Sequence, residues 1–122
     1  MTAIEALELS IILWRWLVLH PDKYKDDCTL FDTTEYDCEC PLCHYSRVEI
    51  KDKDVSFPCV LCPMYNRWPS PVVNKYDDLC IRNGAYSGWN EVGALLYDRE
   101  FFATLIVLAF QKRLEELEHG KS

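Results

Sequence analysis

The segment CPLCHYSRVEIKDKDVSFPCVLCP, from Cys40 to Pro63, contains two Cys-x-x-Cys motifs in a chain of 122 residues. The first motif is formed by Cys40 and Cys43, and the second by Cys59 and Cys62. A gap of two residues lets the backbone turn so that both thiolates of a pair face one ion. Four thiolates make a closed tetrahedral site with sulfur about 2.3 Å from the metal, which is typical of structural zinc. We therefore predict that these four cysteines bind one structural Zn²⁺ ion.

The linker between the two motifs predicts a short β-hairpin. Val48 and Ile50 alternate with charged residues, a turn rich in lysine and aspartate follows, and Val55 and Phe57 alternate again. Such a hairpin has little apolar core of its own, so the metal would supply the stability that packing does not. We expect a zinc-ribbon-like insert built on this hairpin.

Other chemistries of paired cysteines fit the sequence less well. A thioredoxin-like redox pair has one Cys-x-x-Cys at the start of a helix, whereas this chain has two pairs in loop-like segments. Four cysteines also bind iron–sulfur clusters, but regular paired motifs favour zinc. Pro58-Cys59-Val-Leu-Cys62 matches half of the zinc-deaminase signature, yet the chain contains no His-x-Glu or Cys-x-Glu. The deaminase interpretation therefore fails.

Four other side chains near the motifs are weaker candidates for the metal site. His44 directly follows the first motif and could replace a thiolate, although with four cysteines available we interpret it as a bystander. Cys80 is either a fifth thiol near the metal or a small buried residue, and we favour burial. Cys28 and Cys38 lie in an acidic segment, and we interpret both as free thiols.

The apolar run IILWRWLVL, from Ile11 to Leu19, does not predict a signal peptide or a membrane span. It follows Glu5 and Glu8 rather than a basic segment, and no small-residue cleavage site comes after it. It is shorter than the roughly 20 apolar residues that cross a bilayer, and Arg15 interrupts it. We expect a soluble, cytoplasmic protein, in a compartment where thiols stay reduced and paired cysteines bind metal.

The chain length predicts a single, mainly α-helical domain in which two long apolar helices flank the zinc insert. Pro21 ends the first helix, Asn90 is the predicted N-cap of the second, and Gly120 ends it. The loop-rich segment before the second helix predicts a short helix at residues 74–80. The predicted order is an N-terminal helix at 1–20, an acidic loop at 21–39, the zinc module with aromatic loops at 40–89, and a C-terminal helix at 90–118.

The formal net charge of −7 argues against direct binding of nucleic acid. A phosphate-binding surface needs clustered lysine and arginine side chains, and the sequence shows no such cluster. Much of the imbalance lies in the acidic loop, where only Lys23 and Lys25 offset seven carboxylates. We interpret this loop as solvated, and its alternative role is to attract a basic partner.

Five aromatic residues are candidates for contact with a partner: Trp14, Trp16, Trp68, Tyr86 and Trp89. Trp14 and Trp16 point in different directions from one helix, and tryptophan is enriched at binding hot spots. For the rings beside the zinc module, Trp68, Tyr86 and Trp89, we favour core packing over contact with a partner. The sequence shows no nucleophile–base pair, phosphate loop or paired carboxylates, so we do not expect an enzyme. Together with the surplus of apolar helix surface, this favours a module that binds a partner protein or a second copy of itself.

The cysteines and aromatic residues follow a fixed order along the chain. The pattern Cys-x-x-Cys, Cys-x-x-Cys-Pro, Trp, Cys, Tyr-x-x-Trp is carried by Cys40, Cys43, Cys59, Cys62, Pro63, Trp68, Cys80, Tyr86 and Trp89. With LWRWLVLHPDKYK and the region around Arg99, this order resembles a group of small uncharacterised bacteriophage proteins. The resemblance implies a phage accessory protein with a cysteine-ligated metal. We expect it to bind a host protein in the host cytoplasm and to modulate or inhibit it. The alternative is a zinc-ribbon-like protein that binds nucleic acid or the transcription machinery.

Overall fold

The structure, a computed structural model, describes residues 2–29, 41–45, 62–69, 76–77, 85–90 and 95–120. The described part is mostly helical, as the sequence predicts. Its elements are α1 (Ala3–Leu19), a 3-10 turn (Lys25–Asp27), α2 (Pro41–His44), β1 (Trp68–Pro69), β2 (Tyr76–Asp77), α3 (Ala85–Trp89) and α4 (Leu96–Glu118). The predicted zinc hairpin, most of the predicted acidic loop, and the predicted ligands Cys40 and Cys59 lie outside the described residues.

Helix α1 begins at a capping box that the sequence Thr-Ala-Ile-Glu encodes. The Glu5 backbone N–H donates to Thr2 Oγ1 (3.1 Å), and the Thr2 N–H donates to Glu5 Oε1 (3.2 Å). These two bonds satisfy donors that the first turn of a helix otherwise leaves without partners. The helix ends at Leu19 with His20 as its C-cap, because Pro21 cannot continue it. The predicted N-terminal helix is confirmed.

The buried face of α1 packs against α4. Its buried residues are Ala6, Leu7, Ser10, Ile11, Leu13, Trp14 and Leu17. They recur at intervals of three and four positions, which places them on one side of a helix with 3.6 residues per turn. The exposed side carries Glu5, Glu8 and Arg15, the polar stripe that the spacing predicts.

Helix α4 begins later than predicted. Asn90 does not cap it, because the Asn90 backbone N–H donates to the Tyr86 carbonyl (2.9 Å) at the end of α3. The helix starts at Leu96 instead, with Leu95 at the N-cap position. Gly93 lies in the interval between them, and a glycine inside a helix costs about 1 kcal/mol relative to alanine. At the other end Gly120 has a φ of 74°, the left-handed conformation that commonly ends a helix.

The buried side of α4 contacts both α1 and α3. It consists of Arg99, Ala103, Ile106, Val107 and Phe110. The approach of α3 is very close, since a Cβ on Gly88 would lie 2.7 Å from the ring of Phe102. Only glycine leaves room for that ring, so Gly88 sets how near the two helices can lie.

The strands β1 and β2 form an antiparallel pair in which Trp68 lies opposite Asp77 and Pro69 opposite Tyr76. This pair corrects the predicted short helix at residues 74–80, because Tyr76 and Asp77 are extended. Strand β1 packs against α3 and α4 and adds Trp68 to the core. Within the described residues, neither long helix is apolar enough over a sufficient length to traverse a bilayer.

Candidate functional site

Three of the five candidate contact aromatics lie in the core. Trp14 is 0 % exposed, Trp89 1 % and Trp68 5 %. The ring centroids of Trp14 and Trp89 are 4.7 Å apart in an edge-to-face arrangement, and those of Trp68 and Phe110 are 5.5 Å apart. Such pairs contribute to packing beyond the area they bury. Buried in this way, these three side chains have no surface to offer a partner. The predicted core packing of Trp68 and Trp89 is confirmed, and Trp14 is not a contact residue.

Trp16 and Tyr86 are half-buried at the edge of the same core. Trp16 stacks on His20 with centroids 4.4 Å apart, and His20 Nδ1 lies 2.9 Å from the Trp16 carbonyl oxygen. The Tyr86 hydroxyl accepts a hydrogen bond from Lys25 Nζ. Both rings therefore already have intramolecular contacts, and they form a rim around the core.

Arg99 is the most heavily bonded buried side chain at the α3 end of α4. Its Nε donates to the Trp89 carbonyl (3.2 Å), Nη2 to the Lys23 carbonyl (2.9 Å), and Nη1 to the Pro21 carbonyl. The guanidinium also lies over the rings of Tyr24 and Trp89, 4.4 and 4.6 Å from their centroids. One side chain thus joins α4 to the loop after α1 and to the end of α3, and it is 5 % exposed.

At the opposite end of α4, the described residues that follow the first cysteine motif lie near Cys62 of the second. Helix α2 contains Cys43 and packs against α1. Tyr45, just after α2, lines the same cavity of about 370 Å³ as Cys62, together with Ala3 and Leu117. Cys62 is therefore the one predicted ligand whose side chain is described, and the segment with Cys43 ends at its cavity.

The backbone after Cys62 forms a tight turn that is fixed to α4. The Tyr65 N–H donates to the Cys62 carbonyl (2.9 Å), and the Arg67 N–H donates to the Met64 carbonyl (2.8 Å). Arg113 Nε on α4 then donates to the Pro63 carbonyl (2.9 Å). Cys62 and the turn after it consequently have a defined position relative to α4.

The residues present fit a zinc ion, although the described ones do not complete a site. Among the described side chains, no group of three histidine, cysteine or acidic residues could hold a metal. The donor set that the sequence offers, four thiolates, is chemically suited to zinc and carries a net charge of about −2 when loaded. Arg67 and Arg113 line the cavity beside Cys62, and their positive charge suits such a centre. Cys28 is buried in the core cluster and is not among the described residues that line this cavity.

Two arginines share one carboxylate beside this cavity. Arg67 Nε and Arg113 Nη1 both lie 3.7 Å from Glu116 Oε2. Arg113 Nη1 is buried and has no hydrogen-bond partner among the described residues. Burial lowers the pKa of Arg113, the charge of Arg67 lowers it further, and Glu116 acts in the opposite direction. An arginine titrates so far above neutral pH that the cluster still has a net positive charge.

An apolar stripe runs along the outside of α4, opposite its buried face. We call Tyr97, Phe101, Thr104 and Leu108 the outer stripe, since they follow one another at intervals of four, three and four positions. Tyr97 is 69 % exposed, Phe101 53 % and Leu108 56 %. Large apolar residues that share one exposed face indicate an interaction surface more strongly than scattered ones do.

A groove of about 590 Å³ continues the outer stripe towards the arginine cluster. It lies between α4 and the turn before β1, and we call it the α4 groove. Its lining consists of Asn66, Arg67, Pro69, Leu105, Leu108, Ala109, Lys112, Arg113 and Glu116. Leu108 belongs to both the stripe and the groove, so the two form one continuous surface.

The sequence interpretation missed the three arginines that organise these sites. The spacing of Arg99 indicates that it is buried, because it lies four positions before Ala103 and seven before Ile106 on the buried face of the helix. Arg67 and Arg113 are far apart in sequence, so only folding reveals them as a cluster. No protein family, curated protein or solved structure matches this chain.

Proposed function

We propose that the protein is a non-enzymatic, zinc-stabilised module that binds another protein. In this proposal it is a phage accessory factor that acts in the host cytoplasm and modulates or inhibits a host protein. The observation that carries the proposal is the outer stripe of α4, where three large apolar side chains remain more than half exposed. Burying such side chains against a partner gains about 25 cal/mol for each Å² of apolar surface removed from water.

The zinc ion has a structural part in this function. Cys40, Cys43, Cys59 and Cys62 would hold it, and closing the insert would fix the turn that begins at Cys62. That turn includes Arg67 and leads into Pro69, both of which line the α4 groove. The metal would therefore shape one wall of the binding surface without taking part in a reaction.

Capture and native mass test the proposal directly. Zinc-loaded protein is immobilised in a bacterial lysate, bound proteins are identified, and the native mass of the free protein is measured. We expect a specific partner or a defined oligomer. Phe101→Ser should reduce recovery at least tenfold, because it removes the most central ring of the stripe.

Ile12→Ser is the matched control, since Ile12 is 44 % exposed on the other long helix. A strictly monomeric protein that captures nothing would contradict the proposal, as would equal recovery with both variants. A gel-shift assay at low and moderate salt separates this function from nucleic-acid binding. The net charge of −7 predicts no shift of bare DNA.

A further inference from the structure

The α4 groove differs in charge from the rest of the protein. Among the described residues, Arg67, Lys112 and Arg113 line it together with one carboxylate, that of Glu116, whereas the whole chain is acidic. At physiological ionic strength charges more than about 8 Å apart are largely screened, so a ligand in the groove is governed by the groove's own charge. The local field therefore favours an anion.

The two arginines of the groove are only partly compensated by the described residues. Both contacts to Glu116 are 3.7 Å long, beyond the usual range of a hydrogen bond. The bond from Arg67 Nη1 to the Tyr65 carbonyl is also long, at 3.4 Å, and the Arg67 side chain is 33 % exposed. Arg113 adds a charge whose Nη1 atom has no hydrogen-bond partner among the described residues. An incoming carboxylate can reach Arg67 and would also offset the charge of Arg113.

The groove is apolar as well as cationic. Pro69, Leu105 and Leu108 line the same space as the arginines. A phosphate backbone has no apolar groups to place against such a surface, whereas a peptide can carry a carboxylate and an apolar side chain on one face. The combination therefore favours a peptide over a nucleic acid.

We propose that the α4 groove binds an acidic, amphipathic peptide segment of a partner protein. An aspartate or glutamate side chain accepts hydrogen bonds from the Arg67 guanidinium, and a neighbouring apolar side chain packs against Leu105 and Leu108. This inference rests on the proposed function, because it specifies the partner chemistry of the same surface. It adds the location of the binding site and the negative charge of the partner segment, neither of which the proposed function requires.

The experiment selects peptides from a displayed random library on immobilised, zinc-loaded protein. The zinc-loaded form is used because the metal centre, with its net charge of about −2, would compete with the peptide for Arg67 and Arg113. The affinity is therefore measured with that competing charge present. We expect the enriched peptides to combine acidic residues with large apolar ones. A synthetic copy of one such peptide should bind about tenfold more weakly to Arg67→Gln and to Leu108→Glu. Its affinity should also fall as the salt concentration rises.

Leu19→Glu is the matched control for Leu108→Glu, since Leu19 is 76 % exposed on α1 and away from the groove. It should change peptide affinity less than twofold. Enrichment of basic peptides, no enrichment, or equal binding to Arg67→Gln would overturn the assignment. So would Arg67-dependent binding of a DNA oligonucleotide, or a native mass that shows a second copy in the groove. If Arg67→Gln and Leu108→Glu still capture the same lysate partner, the groove assignment fails while the interaction function stands.

Discussion

The two ends of α4 each present an arginine, and the two arginines have different surroundings. Arg99 donates to three backbone carbonyls and lies over two aromatic rings. Arg113, roughly 21 Å further along the helix, donates one hydrogen bond to a carbonyl and has a buried nitrogen without a partner in the described part of the chain. The same residue type therefore completes the structure at one end and, at the other, has a charge that the described residues compensate only in part.

This difference separates folding from recognition along one helix. A buried guanidinium is stable only when its donors are bonded, as those of Arg99 are. The Arg113 end instead borders Cys62 and two cavities, one of which is also lined by Leu108 at the C-terminal end of the outer stripe. We infer that the Arg99 end stabilises the helix pair, and that the proposed metal and the α4 groove lie at the Arg113 end.

The largest expected effect is at the Arg99 end. Arg99→Met should lower the free energy of unfolding by about 3 kcal/mol or more, because it leaves three carbonyls without their donor. Urea denaturation of the zinc-loaded protein, followed by circular dichroism, measures the change. Arg15→Met on the exposed side of α1 is the control and should stay within about 0.5 kcal/mol. If Arg99→Met lowered the free energy of unfolding as little as the control does, Arg99 would not stabilise the fold and the two ends of α4 would not differ in this respect.

The close approach of α3 to α4 should give the next effect. Gly88→Ala places a Cβ 2.7 Å from the Phe102 ring, and we expect a loss of about 1–3 kcal/mol from overpacking. Phe102→Leu in the same chain should recover part of that loss. The two substitutions should therefore be non-additive in a double-mutant cycle. Additive costs would show that the two residues do not limit the approach of the helices.

A substitution at the Arg113 end should lower the free energy of unfolding less than one at the Arg99 end. Arg113→Met removes one hydrogen bond to the Pro63 carbonyl, but it also removes a partly unsatisfied buried charge and a repulsion with Arg67. We expect a net loss of about 1 kcal/mol, and faster amide hydrogen exchange at Tyr65 and Arg67. A loss equal to that of Arg99→Met would show that both arginines are structural.

The smallest effect on stability is expected on the outer stripe. Tyr97→Ser and Phe101→Ser should each change the free energy of unfolding by less than about 0.5 kcal/mol, because both rings are already more than half exposed. Phe110→Ser is the contrast, since that ring is fully buried and its loss should cost about 3 kcal/mol or more. Thermal melts of the three variants test this. A large loss with Phe101→Ser would mean that the stripe stabilises the fold.

The sequence predicted the helices well because their patterns are local. Proline after α1 and glycine after α4 set both ends, and the spacing of Glu5, Glu8 and Arg15 predicted the exposed stripe of α1. The predicted start of α4 was wrong because Asn90, which has a side chain suited to an N-cap, lies at the end of α3 instead. Its backbone N–H donates to the Tyr86 carbonyl there. Tyr76 and Asp77 form a strand rather than a helix because of pairing with Trp68 and Pro69, which no local pattern reveals.

The binding surface was less predictable for the same reason. Tryptophan is enriched at binding hot spots, so the residue type alone makes Trp14, Trp68 and Trp89 candidates. Whether these side chains are buried depends on which elements surround them in the fold. The α4 groove unites Arg67 with Arg113, and their proximity follows from a turn hydrogen-bonded to α4. The metal site stays a prediction, since its motifs lie only partly within the described residues.

The most direct measurement is the zinc content of purified, folded protein, made together with a count of its reduced thiols. Wild type and Cys28→Ser should each retain about one zinc ion per chain, whereas Cys62→Ser should lose it. All seven cysteines of the wild type should be reduced when the metal is removed under denaturing conditions. Folded wild-type protein without zinc, or disulfides between the motif cysteines, would contradict a zinc-stabilised binding surface.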